Sequence, residues 1–179
     1  MSSSICLLHN NIVNKHGNII ETSVTNIDIH DISRTARTYG IDEFCVVTRL
    51  RSQKRLLDEL LDYWIHGKGG EINPDRKEAL SLVAHYSEFN ELFNRYKDPR
   101  LIITDATPHE RNTDFSACRR LIEDDSRHNI IIFGTGWGLD PLITEKADII
   151  LEPVMALSDY NHLSVRSAVA IIVDRLFAF

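Results

Sequence analysis

Three stretches of this chain bring together residue types that can bind or transform a small molecule. The first is Ile131-Ile132-Phe133-Gly134-Thr135-Gly136-Trp137-Gly138-Leu139-Asp140-Pro141. Its apolar start reads as a buried strand, and the three alternating glycines lack the Cβ atoms that would keep a flat ligand away from the main chain. Asp140 and Pro141 then suit the N-cap and first position of a helix. A parallel α/β sheet places a cofactor at such a strand end, although a plain glycine-rich turn has the same composition. The glycine spacing is neither G-x-G-x-x-G nor a Walker loop, which disfavours a nicotinamide-dependent oxidoreductase.

The second stretch, from Glu152-Pro153-Val154 through Asp159-Tyr160-Asn161-His162-Leu163-Ser164 to Ser167, is dense in polar groups and leads into a helix. A helix N-terminus presents outward-pointing N–H donors, so Asn161, Ser164 and Ser167 are placed to meet the polar edges of a small molecule; simple capping by Asp159 or Asn161 is the plainer alternative. In the third, Thr25 to Arg37, His30 and Arg34 are four apart and Asp31 three before Arg34. One helical face therefore carries a base, a carboxylate and arginines, suited to a phosphate or a base edge, or else to a solvated helix laced with ion pairs.

Charge sets limits on the partner. A net charge of −6 argues against a protein that coats nucleic acid by bulk electrostatics. A local basic face remains: Arg49, Arg51, Lys54 and Arg55 put four cations within seven residues, shortly after Arg34 and Arg37. Cys6, Cys45 and Cys118 are odd in number and far apart, so buried free thiols are expected rather than disulfides, and no metal site is expected.

The elements that must position these residues alternate. Strands are expected at Ile5 to Leu8, Phe44 to Val47, Ser81 to Ala84, Leu101 to Thr104, Ile130 to Phe133 and Ile149 to Leu151, with helices between them, which predicts one α/β domain over residues 1–179 with a mostly parallel sheet. Ile29, Ile32, Ala36 and Tyr39 fall on one face of a helix opened by Asn26 or Asp28 and closed at Gly40. Leu56 to Ile65 gives a second stripe. The stripe from Val165 through Ile172 to Phe177 predicts that the last helix is the most amphipathic. Gly67-Lys68-Gly69-Gly70 ahead of Pro74 reads as a flexible loop. The start lacks the basic region of a signal peptide, and no apolar run approaches a membrane span, so a cytoplasmic location is expected.

In order and spacing the three stretches resemble the signature motifs of the SPOUT RNA methyltransferases, the α/β-knot superfamily. Ile32, Arg34, Thr35 and Ala36 match its first motif, Gly134 and Leu139 the second, and Glu152-Pro153 through His162-Leu163-Ser164 the plan of the third. More narrowly, Thr22-Ser23-Val24-Thr25-Asn26, Phe133 to Leu139, and Tyr160 to Ser167 are similar to a small stand-alone bacterial family of S-adenosylmethionine-dependent RNA methyltransferases related to the TrmD-type guanine-N1 enzymes.

The resemblance implies a parallel sheet whose C-terminal segment threads a deep trefoil knot, and a homodimer acting on tRNA or rRNA. S-adenosylmethionine would lie against Thr104, Asp105 and Ala106, against Phe133, Gly134, Thr135, Gly136, Gly138 and Leu139, and against Leu151, Glu152, Pro153 and Val154, with Asn161, Leu163 and Ser164 nearby. Arg34 of one subunit would reach the pocket of the other, and RNA would cross Arg34, Arg37, Arg49, Arg51, Lys54 and Arg55. Asp28 and His30 stand where ribose methylases carry Asn and Gly, which favours transfer to a base, such as guanine N1, over ribose 2′-O. Asp159, Asp28 and His162 are the candidates for the base that removes a proton, with Arg34 stabilising charge. A non-catalytic knotted dimer that binds RNA or protein is the alternative.

Overall fold

The computed structural model describes residues 2–155, 157 and 160–178. The chain opens with strand β1 (Ser3–Leu8), a short antiparallel pair β2 (Ile12–Val13) and β3 (Ile19–Ile20), helix α1 (Asn26–Thr38) and strand β4 (Glu43–Val47). Helices α2 (Arg51–Ile65), α3 (Lys68–Ile72) and α4 (Pro74–Leu80) follow, then β5 (Val83–Tyr86), α5 (Phe89–Arg95), β6 (Arg100–Ile103) and β7 (Asn112–Thr113). The chain closes with α6 (Phe115–Asp124), β8 (Asn129–Phe133), α7 (Pro141–Thr144), β9 (Ile149–Leu151) and α8 (Val165–Phe177).

Seven strands form one sheet in the order β5-β4-β1-β8-β6-β9-β7, and every pairing in it is parallel. Parallel strands are buried on both faces, which explains why they read as continuous apolar runs. Ile5, Leu7, Phe44, Val46, Ile131 and Phe133 face a core closed by α1, α2, α4, α6 and α8. The alternate residues Cys6, Leu8, Cys45, Val47, Ile130 and Ile132 face a second core closed by Phe89 and Leu92 of α5 and by Ile143 of α7. From β1 the chain builds outward through β4 to β5, then returns to place β8 between β1 and β6. The strand order reverses beside β1, and in such sheets a ligand crevice lies outside the C-terminal strand ends at the reversal.

Several expectations need correction. Helix α1 is capped by Thr25, whose hydroxyl accepts from the Asp28 N–H, rather than by Asn26 or Asp28; the Asp28 carboxylate instead accepts from that same hydroxyl at 2.5 Å. Gly40, at φ +69°, does close the helix as expected. The stretch expected as a flexible loop is helix α3. Its glycines are small because a Cβ at Gly69 would sit 2.6 Å from Tyr63 Cε1 and 2.7 Å from Trp64 Cε3, so their absence lets α3 fold flat onto α2. Strand β5 starts at Val83 because Ser81 is still the C-cap of α4. Helix α8 buries Val169, Ile172, Val173 and Leu176, but Ala170 and Ile171 on its other side are also half-buried, so α6 has the sharper division into apolar and polar faces. All three cysteines are free and buried.

Candidate active site

The C-terminal ends of β1, β6, β8 and β9 open on a single large cavity of about 690 Å³, well within the range of small-molecule sites. Adjacent strands are about 4.8 Å apart, so a cavity running from the end of β9 to that of β1 spans three intervals, about 14 Å. Thr104 to Thr107 line it after β6, and Phe133 to Leu139 after β8; Val154 follows β9, and Asn161, His162 and Leu163 precede α8. Val165, Ala168 and Ile172 form its floor on α8, while His9, Ser23, Thr25 and Asp28 form the wall on the β1 and α1 side.

The loop after β8 is held by its neighbours. Val13 N donates to the Gly138 carbonyl at 3.0 Å and Trp137 N to the Val13 carbonyl at 3.2 Å, so β2 fixes the loop from outside. Gly136 at φ +61° and Gly138 at φ +116° take backbone conformations that side chains disfavour. A Cβ on Gly136 would also stand 3.0 Å from Ile12. Trp137 is left 68% exposed at the cavity mouth. Asp140 caps α7 through Leu142 N at 3.0 Å, with Pro141 behind it, as the residue types suggest.

On the α8 side, Asn161 Nδ2 donates to the Ala106 carbonyl at 2.8 Å, tying this loop to the one after β6. Ser164, the N-cap position of α8, makes no side-chain cap bond and instead meets Ser167 Oγ at 2.9 Å. Arg166 reaches across to α1, where it meets Asp28 at 3.3 Å and Asp31 at 3.5 Å. Both oxygens of Asp28 are therefore engaged, Oδ1 with Arg166 and Oδ2 with Thr25.

The cavity thus unites most of the predicted cofactor residues: Thr104, Asp105, Ala106, Phe133, Gly134, Thr135, Gly136, Gly138, Leu139, Val154, Asn161 and Leu163 all line it. Leu151, Glu152, Pro153 and Ser164 do not line it; Leu151 is buried at the end of β9, and Glu152 accepts from Phe115 N at 3.0 Å. Asp28 and His162 line it, whereas Arg34 is exposed on α1 away from it. Asp159 lies outside the described residues. Of the six cations expected to meet RNA, four have acidic partners: Arg37 with Glu78, Arg49 with Glu21 and Glu88, Lys54 with Asp58, and Arg55 with Glu59. Arg34 and Arg51 are exposed and have no ion pair among the described residues.

His9 is the residue that the sequence motifs passed over. It follows β1 directly, is 1% exposed and lines the cavity. Its protonation pattern follows from its neighbours. Thr135 Oγ1 donates to the Leu8 carbonyl at 3.2 Å, so the 2.6 Å contact between Thr135 and Thr22 takes its hydrogen from Thr22. The other acceptor within reach of Thr22, the His9 carbonyl, is at 3.5 Å and offers a much poorer bond. With both hydroxyl protons so placed, the 3.0 Å contact between His9 Nδ1 and Thr22 puts the hydrogen on Nδ1; the opposite order, Thr135 to Thr22 to Nδ1, would give up the bond to the Leu8 carbonyl. Nε2 is then a bare acceptor, and it is buried with no partner among the described residues. Burial lowers the His9 pKa to about 4, against a smaller opposing pull from Asp28. An unmet buried acceptor costs roughly 1–3 kcal/mol.

Residues 2–178 match the family described as SAM-dependent RNA methyltransferase. Among relatives, an uncharacterized protein of Aquifex aeolicus (strain VF5) is 39% identical over 179 residues, covering 97% of this chain and 87% of its own length. A tRNA (guanine-N(1)-)-methyltransferase of Oleidesulfovibrio alaskensis is 41% identical over 95% of this chain, which spans only 40% of that longer enzyme. Among solved structures, the SpoU methyltransferase AviRb from Streptomyces viridochromogenes, in complex with the cofactor AdoMet, superposes with a TM-score of 0.57 at 14% identity, over 97% of this chain and 56% of that one. At that identity the likeness is one of fold.

Proposed function

The chain belongs to the family of SAM-dependent RNA methyltransferases, and from that premise we propose that it transfers a methyl group to a base of tRNA or rRNA, with guanine N1 preferred to ribose 2′-O. The observation that carries this reading is the cavity itself: the loops after β6, β8 and β9, three neighbouring strands, converge on one space together with the start of α8. The residues fit the cofactor. The positive-φ backbone at Gly136 and Gly138 presents main chain without side chains, as a flat adenine requires, and the unmet Nε2 of His9 leaves a polar group for a bound molecule.

Bound there, S-adenosylmethionine supplies an electrophilic methyl group. The chain's own contribution is position, exclusion of water and charge. Thr104 to Ala106, Gly134 to Leu139, Val154 and Asn161 would hold the cofactor, and Glu152 and Pro153 would shape the loop behind it. Asp28, His162 and Asp159 are the candidate proton acceptors. Among them Asp28 carries its oxygens already hydrogen-bonded and ion-paired, while His162 is exposed and packs edge-on against the Tyr160 ring.

The family resemblance further supports a knotted C-terminal segment, consistent with the late strands β8 and β9 taking places beside the earlier β6, and a homodimer. Arg34, solvent-exposed and outside its own cavity, then serves the partner's cavity, and the exposed lining residues Trp137 and Leu163 offer apolar surface that a second copy would cover. No helix among the described residues is long and apolar enough to cross a membrane. The setting proposed is the cytoplasm.

Calorimetric titration with S-adenosylmethionine and S-adenosylhomocysteine tests the reading, with Ala106→Trp as the variant that fills the cavity mouth. The expected result is binding near micromolar strength, about 8 kcal/mol, lost in the variant, and label transfer to unfractionated tRNA. A folded protein that binds neither compound would leave the non-catalytic scaffold as the reading.

A further inference from the structure

We propose that His9 is a specificity-determining residue whose Nε2 accepts a hydrogen bond from the donor edge of the nucleotide to be methylated. This rests on the methyltransferase reading above. The cavity divides by strand: the predicted cofactor segments follow β6, β8 and β9, whereas His9 follows β1, on the far side of β8 and next to the N-terminus of α1. The space before His9, Ser23, Thr25 and Asp28 is therefore the part left for the substrate.

The chemistry of this wall selects a donor. The Leu8 carbonyl, Thr135, Thr22 and His9 form a chain that, with the Leu8 carbonyl bonded, ends on a bare imidazole nitrogen. A side chain that could turn round to become a donor, such as an amide, would accept either kind of edge; this one is held in one tautomer by two threonines. Guanine presents N–H groups at N1 and N2 on the edge that would be methylated, whereas adenine presents a bare N1 there and carries its donor at N6. An acceptor-only nitrogen set against the N1 and N2 side favours the first and opposes the second. A general base works best with a pKa near the operating pH, and a histidine at about 4 is far from it, so His9 holds and selects rather than removing the proton. Nε2 itself is covered in the free protein, although His9 lines the cavity. Side-chain adjustments on binding, common where partners otherwise move little, would bring donor and acceptor together.

Two measurements test this. In the wild-type protein with 15N-labelled histidine, Nδ1 of His9 should resonate as a protonated and Nε2 as an unprotonated nitrogen at neutral pH; the reverse assignment would overturn the proposal whatever the activity. In parallel, His9→Phe, which keeps a ring without an acceptor, and His9→Gln, which keeps a carbonyl oxygen, are compared for S-adenosylmethionine affinity by calorimetry and for methyl transfer to unfractionated tRNA from cells lacking this protein. The Phe variant should bind the cofactor within about threefold of wild type while kcat/KM for tRNA falls at least tenfold, and the Gln variant should recover part of the loss. Transfer at wild-type efficiency by both variants sinks the proposal, as does a fall in cofactor affinity equal to the fall in transfer, which would assign His9 to the cofactor. Wild-type protein that neither binds cofactor nor transfers methyl groups would overturn the functional reading, and this one with it.

Discussion

At the scale of single residues, burial has set the protonation of His9, and the consequence reaches beyond the site. Its pKa falls from 6.5 to about 4 on folding, so between those values the unfolded chain binds a proton that the folded one refuses. Stability is whole above about pH 6.5 and drains away as pH drops toward 4. At 1.36 kcal/mol per pKa unit the His9 contribution is about 3 kcal/mol. His30 and His128 are also lowered by burial and act in the same direction. Urea unfolding at pH 7 and pH 4.5 should show this loss, and His9→Gln should remove a clear part of it; an unchanged pH dependence in that variant would mean that His9 is not the group responsible. His9 was not legible as a site residue because it belongs to no local pattern. Only the 127 positions separating Leu8 from Thr135, closed by the pairing of β1 with β8, bring it to the glycine loop.

At the scale of elements, apolar runs located β1, β4, β6, β8 and β9 well because these are buried, and the boundaries of β9 agree to the residue, whereas β5 is only partly buried and the short polar β7 carries no apolar run. The glycine-rich stretch after α2 was the main miss. Composition alone signals freedom there, yet the glycines are present so that α3 can press against Tyr63 and Trp64. Gly69→Ala would place a methyl group 2.6 Å from the Tyr63 ring, and overpacking of this kind costs roughly 1–3 kcal/mol. A drop of that size in the free energy of urea unfolding is expected, whereas Gly17→Ala, in open space, should show only the smaller strain of its φ of +78°. Ion pairs divide in the same way. Lys54–Asp58 and Arg55–Glu59 follow from i,i+4 spacing on α2, whereas Arg37–Glu78 and Arg49–Glu88 need α4 and α5 brought alongside.

At the scale of the whole molecule, the proposed dimer makes a prediction that a monomeric enzyme would not. If Arg34 completes the partner's cavity, a 1:1 mixture of Arg34→Ala and Ala106→Trp protomers, each inactive alone, regains about a quarter of wild-type activity after dissociation and reassembly, because half the dimers are mixed and each has one intact site. If Arg34 served its own subunit, the mixture would stay inactive. The wild-type mass in solution provides the accompanying check.

What the sequence by itself determined is local: the buried strands, the glycine turn after β8 with its Asp-Pro helix start, the polar approach to α8, and the family that these imply. Each is written in neighbouring residues, because periodicity, missing Cβ atoms and caps act over one or two turns of chain. The tertiary structure alone decided which of these meet. It placed His9 with Thr22 and Thr135, left Arg34 outside its own cavity, and neutralised most of the expected basic face with carboxylates. The physical reason is that hydrogen-bond satisfaction and desolvation depend on what surrounds an atom in space, and a parallel sheet with the order β4-β1-β8-β6 makes neighbours of residues more than a hundred positions apart.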